Sequence, residues 1–243
     1  MTAEMDVELA PLVPRALSSA AADGGIDAGP LPLVTCFELG HTFKPLGDFC
    51  IATLEKARSI LLYSKRPIDE LSGAVVGVTG ETSTSVQLMK ALLSRRFRVI
   101  PRRYIGLHDG AMDAFLLIGD EALRRRRGVP GYPYLYDLGQ EWHEWTGLPF
   151  VFARWVVRRD LDGEKIRWLE SMLTRSIEKG LACVEEIAAS RTDLGMTREE
   201  IVEYVRSFRY RLAAPELQSI EKFHSLQTAP VPSQHSSIKP VEA

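Results

Sequence analysis

The residues best placed to do chemistry are four consecutive hydroxyls, Thr82, Ser83, Thr84 and Ser85. They follow an apolar run, AVVGV at 74–78, and they open a segment with Val86, Met89, Leu92 and Leu93 on one side. This pattern predicts a buried strand, a turn and a helix. The first N–H groups of a helix lack internal partners, and the helix dipole favours negative charge beside them. The turn is therefore a candidate cradle for a carboxylate or a phosphate. One Ser or Thr suffices to cap a helix, and four exceed that need. A nucleotide P-loop is disfavoured, because GVTGETSTS lacks the Gly-Lys-Ser/Thr ending; Gly77 and Gly80 alone do not make GxGxxG.

A second unit of the same kind follows. In DAFLLIGDEAL the apolar run 114–118 leads through Gly119 and Asp120 into a short helix. Gly119 would bring its backbone close to a ligand, and Asp120 would set a carboxylate at a pocket edge. Asp120 is equally suited to cap the helix that follows. Arg124 to Arg127 read as solvated cations at the end of that helix, where the dipole favours them. Trp142, Trp145, Pro149 and Phe150 read as aromatic packing between lobes, a place where a ring-shaped ligand could also stack. The five histidines, His41, His108, His143, His224 and His235, form no HExxH and stand beside no nucleophile; GxSxG is absent too. Metal, hydrolase and kinase chemistry thus lack their parts, and no cofactor is expected.

The elements that must position these residues can be read in order. Pro14 to Asp23 predicts a short helix ended by Gly24-Gly25. IDAGPLPLV, FCIAT and ARSILLYS predict strands, and Arg66-Pro67 a turn where the chain crosses between lobes. FRVIPR predicts another strand, LGQEWHEWT a helix stopped by Gly147, and PFVFARWVV a strand returning to the first lobe. The two strand–turn–helix units side by side predict a parallel sheet with the ligand at the strand C-termini. From Gly163 the apolar spacing predicts one long amphipathic helix through Ile187, then a helix opened by the capping box at Thr197, then a last one from Pro215. The Pro/Ser-rich segment 227–243 predicts a disordered tail.

Bulk properties narrow the class. The chain has 243 residues, 45% hydrophobic and 26% charged, enough for one large domain or two small ones. Its formal net charge of −2 gives no basic field for nucleic acid or a membrane surface. Cys36, Cys50 and Cys183 form no CxxC, and an odd count fits reduced thiols in the cytoplasm. The acidic start MTAEMDVELAPLVP is unlike a signal peptide, and no apolar run is long enough to span a bilayer. The expected partner is a small-molecule carboxylate, with neither nucleic acid nor membrane.

In order, IDAGPLPL, SILLYS, TGETSTSVQLMKALL, DAFLLIGDEAL, DLGQEWHEWTGLPFVFARW and FRYRLAAPELQSIEKF resemble the chorismate dehydratase family of the futalosine route to menaquinone. The resemblance spans about Pro14 to Leu226, and the tryptophan-rich block carries most of it. It implies an α/β, two-lobed type II periplasmic-binding-protein fold with C-terminal helices. One lobe would comprise 1–65 and 151–226, the other 66–150, with the ligand between them. It also implies loss of water from chorismate to give 3-[(1-carboxyvinyl)oxy]benzoate, with no metal or redox cofactor. Thr82, Thr84 and Ser85 would bind a carboxylate. Gly119 and Asp120 would line the cleft from the same lobe, and Leu31, Pro32 and Thr53 from the other. Family members begin with an I-x-Y-L-N-x-L-P strand and loop whose asparagine lines the active site. Nothing before Pro14 matches it, so the resemblance implies a first lobe without that strand and that asparagine. Leu54-Glu55-Lys56 replaces the family's glycine–proline turn, which would set Glu55 beside an anionic ligand.

Overall fold

The computed structural model describes residues 7–80 and 83–229. The chain folds as two β-sheets with helices packed around and between them. The first sheet contains β1 (Ala28–Pro32), β2 (Phe43–Thr53), β8 (Phe150–Arg158) and β9 (Phe208–Arg211), in the order β1-β8-β2-β9. Every neighbouring pair in it is antiparallel. The second sheet contains β3 (Ile60–Ser64), β4 (Val75–Val78), β5 (Arg103–Gly106), β6 (Ala114–Ile118) and β7 (Tyr134–Asp137), in the order β5-β4-β6-β3-β7. There β4, β5 and β6 are parallel, and β3 runs against both β6 and β7.

The parallel sheet expected from the sequence is thus confined to three neighbouring strands. Parallel neighbours need a long crossover. The 24 residues between β4 and β5 provide one, through α3 (Thr84–Ala91) and a π-helical turn at Leu92–Arg96. FRVIPR is not a strand. Arg98 has φ of 55°, Pro101 has no N–H to give a ladder, and the strand begins at Arg103. The run 60–64 belongs to the second sheet, since its ladder partners are β6 and β7. The chain therefore crosses from the first sheet to the second at 54–59, ahead of Arg66-Pro67.

The remaining helices are α1 (Pro14–Ala22), α2 (Leu33–Glu38), α4 (Gly119–Arg124), α5 (Leu138–Thr146), α6 (Gly163–Ala182), α7 (Val184–Ser190), α8 (Arg198–Ser207) and α9 (Ala214–Thr228). The long helix expected from Gly163 breaks at Cys183 into α6 and α7. The capping box at Thr197 forms as expected, with Thr197 and Glu200 each accepting the other's backbone N–H. α9 continues through Thr228, so the first residues of the expected tail are helical; 230–243 lie outside the described residues.

One apolar core joins the two sheets. It runs from Cys50, Ala52, Phe150 and Phe152 of the first to Leu62, Val76, Ala114 and Leu116 of the second. Leu88 and Met89 of α3, Trp142 of α5 and Phe223 of α9 fill the space between. Trp142 is fully buried and meets Trp145, Phe150 and Phe223 edge to face. Its indole Nε1 donates to Pro149 O and to Ser219 Oγ, so the polar end of the ring is satisfied inside the core. Among the described residues, no helix is long and apolar enough to cross a membrane.

Candidate functional site

The parallel strands β4 and β6 end at the same edge of the second sheet, and β7 runs in the same direction. Each of the three leads into a helix there: α3, α4 and α5. Three helix starts therefore gather along one edge, where part of their N–H groups is already taken, Gly119 N by Ser59 O and Gly139 N and Gln140 N by Asp137. The crossing loop 54–59 lies on that edge, because Ile60 pairs with Ile118 and Leu61 with Asp137.

Thr84 and Ser85 stand in the first turn of α3, and both are buried. Thr84 Oγ1 accepts the N–H of Val34, 3.3 Å away, in the first turn of α2. This bond ties the start of α3 to the end of β1, and so brings Thr84 together with Leu31 and Pro32. Those two residues are themselves buried. The hydroxyl can still donate its own proton onward while accepting from Val34. Ser83 occupies the N-cap position with helical backbone angles and caps nothing. Its Oγ is buried and has no hydrogen-bond partner among the described residues. Thr82 lies outside the described residues. Arg15 Nη1 donates to Gly80 O at 3.2 Å, which brings α1 to the same turn.

Thr53, fully buried at the end of β2, also has an Oγ1 without a partner among the described residues. Glu55 is exposed, and its neighbour Ala57 is buried. Gly119 has φ of +57° and donates its N–H to Ser59 O at 2.8 Å, so the second strand–turn–helix unit is anchored to the crossing loop. Asp120 does not cap α4, whose N-cap is Ile118. Its carboxylate pairs with Arg191 at 2.8 Å. That pair ties Asp120 to Arg191, which follows α7.

Arg124 to Arg126 are likewise not merely solvated. Arg124 pairs with Asp193 at 3.0 Å, Arg125 with Glu121 at 2.6 Å, and Arg126 with Glu200 at 2.6 Å while donating to Gly195 O. Tyr204 of α8 adds a bond from its hydroxyl to Ser59 Oγ at 2.9 Å. The segment α7–α8 is thereby strapped across α4 and the crossing loop. Beside this strap is a surface hollow of about 450 Å³ lined by Arg58, Glu185, Glu199, Glu203 and Arg206.

A family model described as menaquinone biosynthesis matches residues 1–229. The chain belongs to the menaquinone biosynthesis family. It is 33% identical over 199 residues to the chorismate dehydratase of Thermus thermophilus, covering 73% of this chain and 71% of that protein. It is 32% identical over 130 residues to the 1,4-dihydroxy-6-naphthoate synthase of the same organism, covering 52% of this chain and 47% of that one. Among solved structures it resembles protein AF1704 of Archaeoglobus fulgidus, with a TM-score of 0.62 at 18% identity, covering 88% of this chain and 82% of that one. It also resembles the alkanesulfonate-binding protein SsuA of Xanthomonas axonopodis pv. citri, with a TM-score of 0.54 at 13% identity, covering 91% and 82%. The fold is the periplasmic-binding-protein-like α/β fold.

In this member of the menaquinone biosynthesis family, one group that organises the site was missed in the sequence. Asp137 caps α5 through Gly139 N and Gln140 N, and its carboxylate also accepts Ala57 N at 2.9 Å and Arg58 N at 2.6 Å. Burial pushes this carboxyl up, and the four N–H donors oppose that push. A Cβ on Gly139 would stand 2.9 Å from Ala57 N and from Glu55 O, so only glycine admits the crossing loop this close. The Asp-Leu-Gly triplet that opens α5 is also the clamp on the connection between sheets.

Proposed function

We propose that this chain removes water from chorismate to give 3-[(1-carboxyvinyl)oxy]benzoate. The observation that carries this reading is the 33% identity to a chorismate dehydratase over 73% of the chain. The edge geometry supports it. Chorismate carries two carboxylates, and a helix start with the hydroxyls of Ser83, Thr84 and Ser85 suits one of them. In the reaction the ring carbon bearing the enolpyruvyl ether gives up its proton. The neighbouring hydroxyl leaves as water, and the ring becomes aromatic. The substrate's own side-chain carboxylate is within reach of that proton, so the protein's task is to hold the reactive conformer and exclude water.

A second reading is the sister activity of 1,4-dihydroxy-6-naphthoate synthase, which the shorter match favours. A third is a binding protein for an aromatic or enolpyruvyl carboxylate that performs no chemistry, in keeping with the likeness to a binding-protein fold. The test is to incubate the full chain with chorismate and follow the benzoate product by liquid chromatography. Product formation at a rate set by protein concentration is expected. Saturable chorismate binding without product would leave the third reading, and turnover of cyclic dehypoxanthinylfutalosine without turnover of chorismate would leave the second.

A further inference from the structure

Arg154 lies in β8, the strand flanked by β1 and β2, where Leu31 opposes it on one side and Cys50 on the other. Its guanidinium makes no hydrogen bond, ion pair or ring contact with any described residue, and its Nε is buried without a partner. Two other inward-turned arginines among the described residues are paired. The Arg96 side chain, 19% exposed, meets Glu141 and Glu144, and that of Arg126, 17% exposed, meets Glu200. What flanks Arg154 is two thiols, Cys36 of α2 and Cys50 of β2, both held neutral by burial. Burial lowers the guanidinium's own proton affinity, as expected of a cation that has lost water and gained no counter-ion. A half-buried charge without a partner is costly unless a ligand supplies one. Arg66 also has an unpartnered Nε, but it lies beyond Ser64, which pairs with Ala114 at the start of β6 and so marks the opposite edge of the second sheet.

The position of Arg154 relates it to the α3 turn. Leu31, its ladder partner, is three residues before Val34, whose N–H meets Thr84. Three residues of chain span at most about 11 Å. That bounds the backbone path from Leu31 to Val34, to which the cross-strand gap of about 5 Å and the flexible reach of the arginine side chain add; an arginine fork matches a carboxylate edge with two parallel hydrogen bonds.

We propose that Arg154 is the anchor for a second carboxylate on the ligand whose first carboxylate sits at the α3 turn. The proposal rests on the chorismate reading for the ligand's identity, and on the unpaired guanidinium for the site.

Calorimetric titration of the full chain with chorismate, isophthalate and benzoate tests it. Isophthalate carries two carboxylates on one ring, and benzoate carries one. Wild-type protein is expected to prefer isophthalate over benzoate by about ten-fold or more, the worth of one charge-assisted contact. Arg154→Met should erase that preference, weaken chorismate by a similar factor and leave benzoate unchanged. Its melting temperature should equal or exceed wild type, because an unpaired half-buried charge has been removed. If the methionine variant does not fold, Arg154→Lys carries the test, since a single ammonium should lose several-fold of the preference. Preference for isophthalate that survives either folded variant overturns the anchor, as does a wild-type chain that binds none of the three probes. Arg154-dependent binding of isophthalate without binding or turnover of chorismate would leave the anchor standing and remove the chorismate reading.

Discussion

The Thr84 hydroxyl closes the first turn of α2 from outside, because a helix start has N–H groups that no residue of its own helix can satisfy. Thr84→Val keeps the shape and strands a buried donor. It should cost about 1–3 kcal/mol in urea denaturation, whereas Thr84→Ser should cost less than half of that. Equal losses in the two variants would show that packing, and not the hydrogen bond, matters at this position. Gly139→Ala tests the other contact at this edge. With 2.9 Å available beside Ala57 N and Glu55 O, the added methyl must displace the crossing loop. The expected loss is about 1–3 kcal/mol, and a neutral result would refute the tight approach. The thiols give a pH prediction. Cys36 and Cys50 are pushed up to about 12 by burial, from an ordinary 9.0. A raised pKa means that their contribution to stability is complete below pH 9 and is lost as pH climbs from 9 toward 12. Tyr63 and Tyr104, pushed up to about 12 from 10.0 by burial, act in the same direction over the upper part of that window. Replacing both thiols by alanine should flatten the alkaline stability curve between 9 and 10, as followed by circular dichroism; an unchanged slope would contradict the burial.

At the scale of elements, the α4 strap is electrostatic and the crossing loop is held by backbone donors. Asp120 and Arg191 form an exposed pair, and a double-mutant cycle on them should give about 0.2–1 kcal/mol of coupling that shrinks in high salt. If Asp120 instead served a ligand, Asp120→Asn would weaken chorismate binding at unchanged stability, and the cycle would return no coupling. The sequence made α5 legible to the residue, because Gly147 marks its end and aromatic spacing marks its buried face. It made β6 and α4 legible for the same reason, an unbroken apolar run with a glycine after it. It did not show β9, whose FRYR alternates cations with half-buried rings and reads as surface until β2 is there to pair with it. Nor did it show the distant partners of Arg124 and Arg126. The acids that meet them are about seventy residues away in Asp193 and Glu200, and one-dimensional charge patterning cannot see that distance. The hydroxyl-rich turn was visible as a helix start, but its engagement of α2 depends on how the two sheets meet. The Asp137 clamp was half visible: the cap is a local pattern, while the bonds to Ala57 and Arg58 are long-range.

At the scale of the molecule, a single core under both sheets determines how the chain should unfold. Two lobes joined only by crossing segments would open independently, each with its own transition. Here Trp142 of α5 packs on Phe150 from the first sheet and Phe223 from α9, and the same cluster holds Val76 and Leu116 from the second. Losing that ring should therefore weaken both halves together. Trp142→Ala is expected to cost about 3–5 kcal/mol, the range for emptying a fully buried aromatic site. Trp142→Phe should cost less in packing but leave Ser219 Oγ and Pro149 O without their donor, which adds about 1–3 kcal/mol for buried groups left unpaired. Hydrogen exchange read at β2 and β8 on one side and at β4 and β6 on the other distinguishes the two architectures. Protection should fall by the same free energy in all four strands of the Trp142→Ala protein. A loss confined to the first sheet would mean that the halves are energetically separate, and the core that spans them would then be a contact between units and not the unit itself.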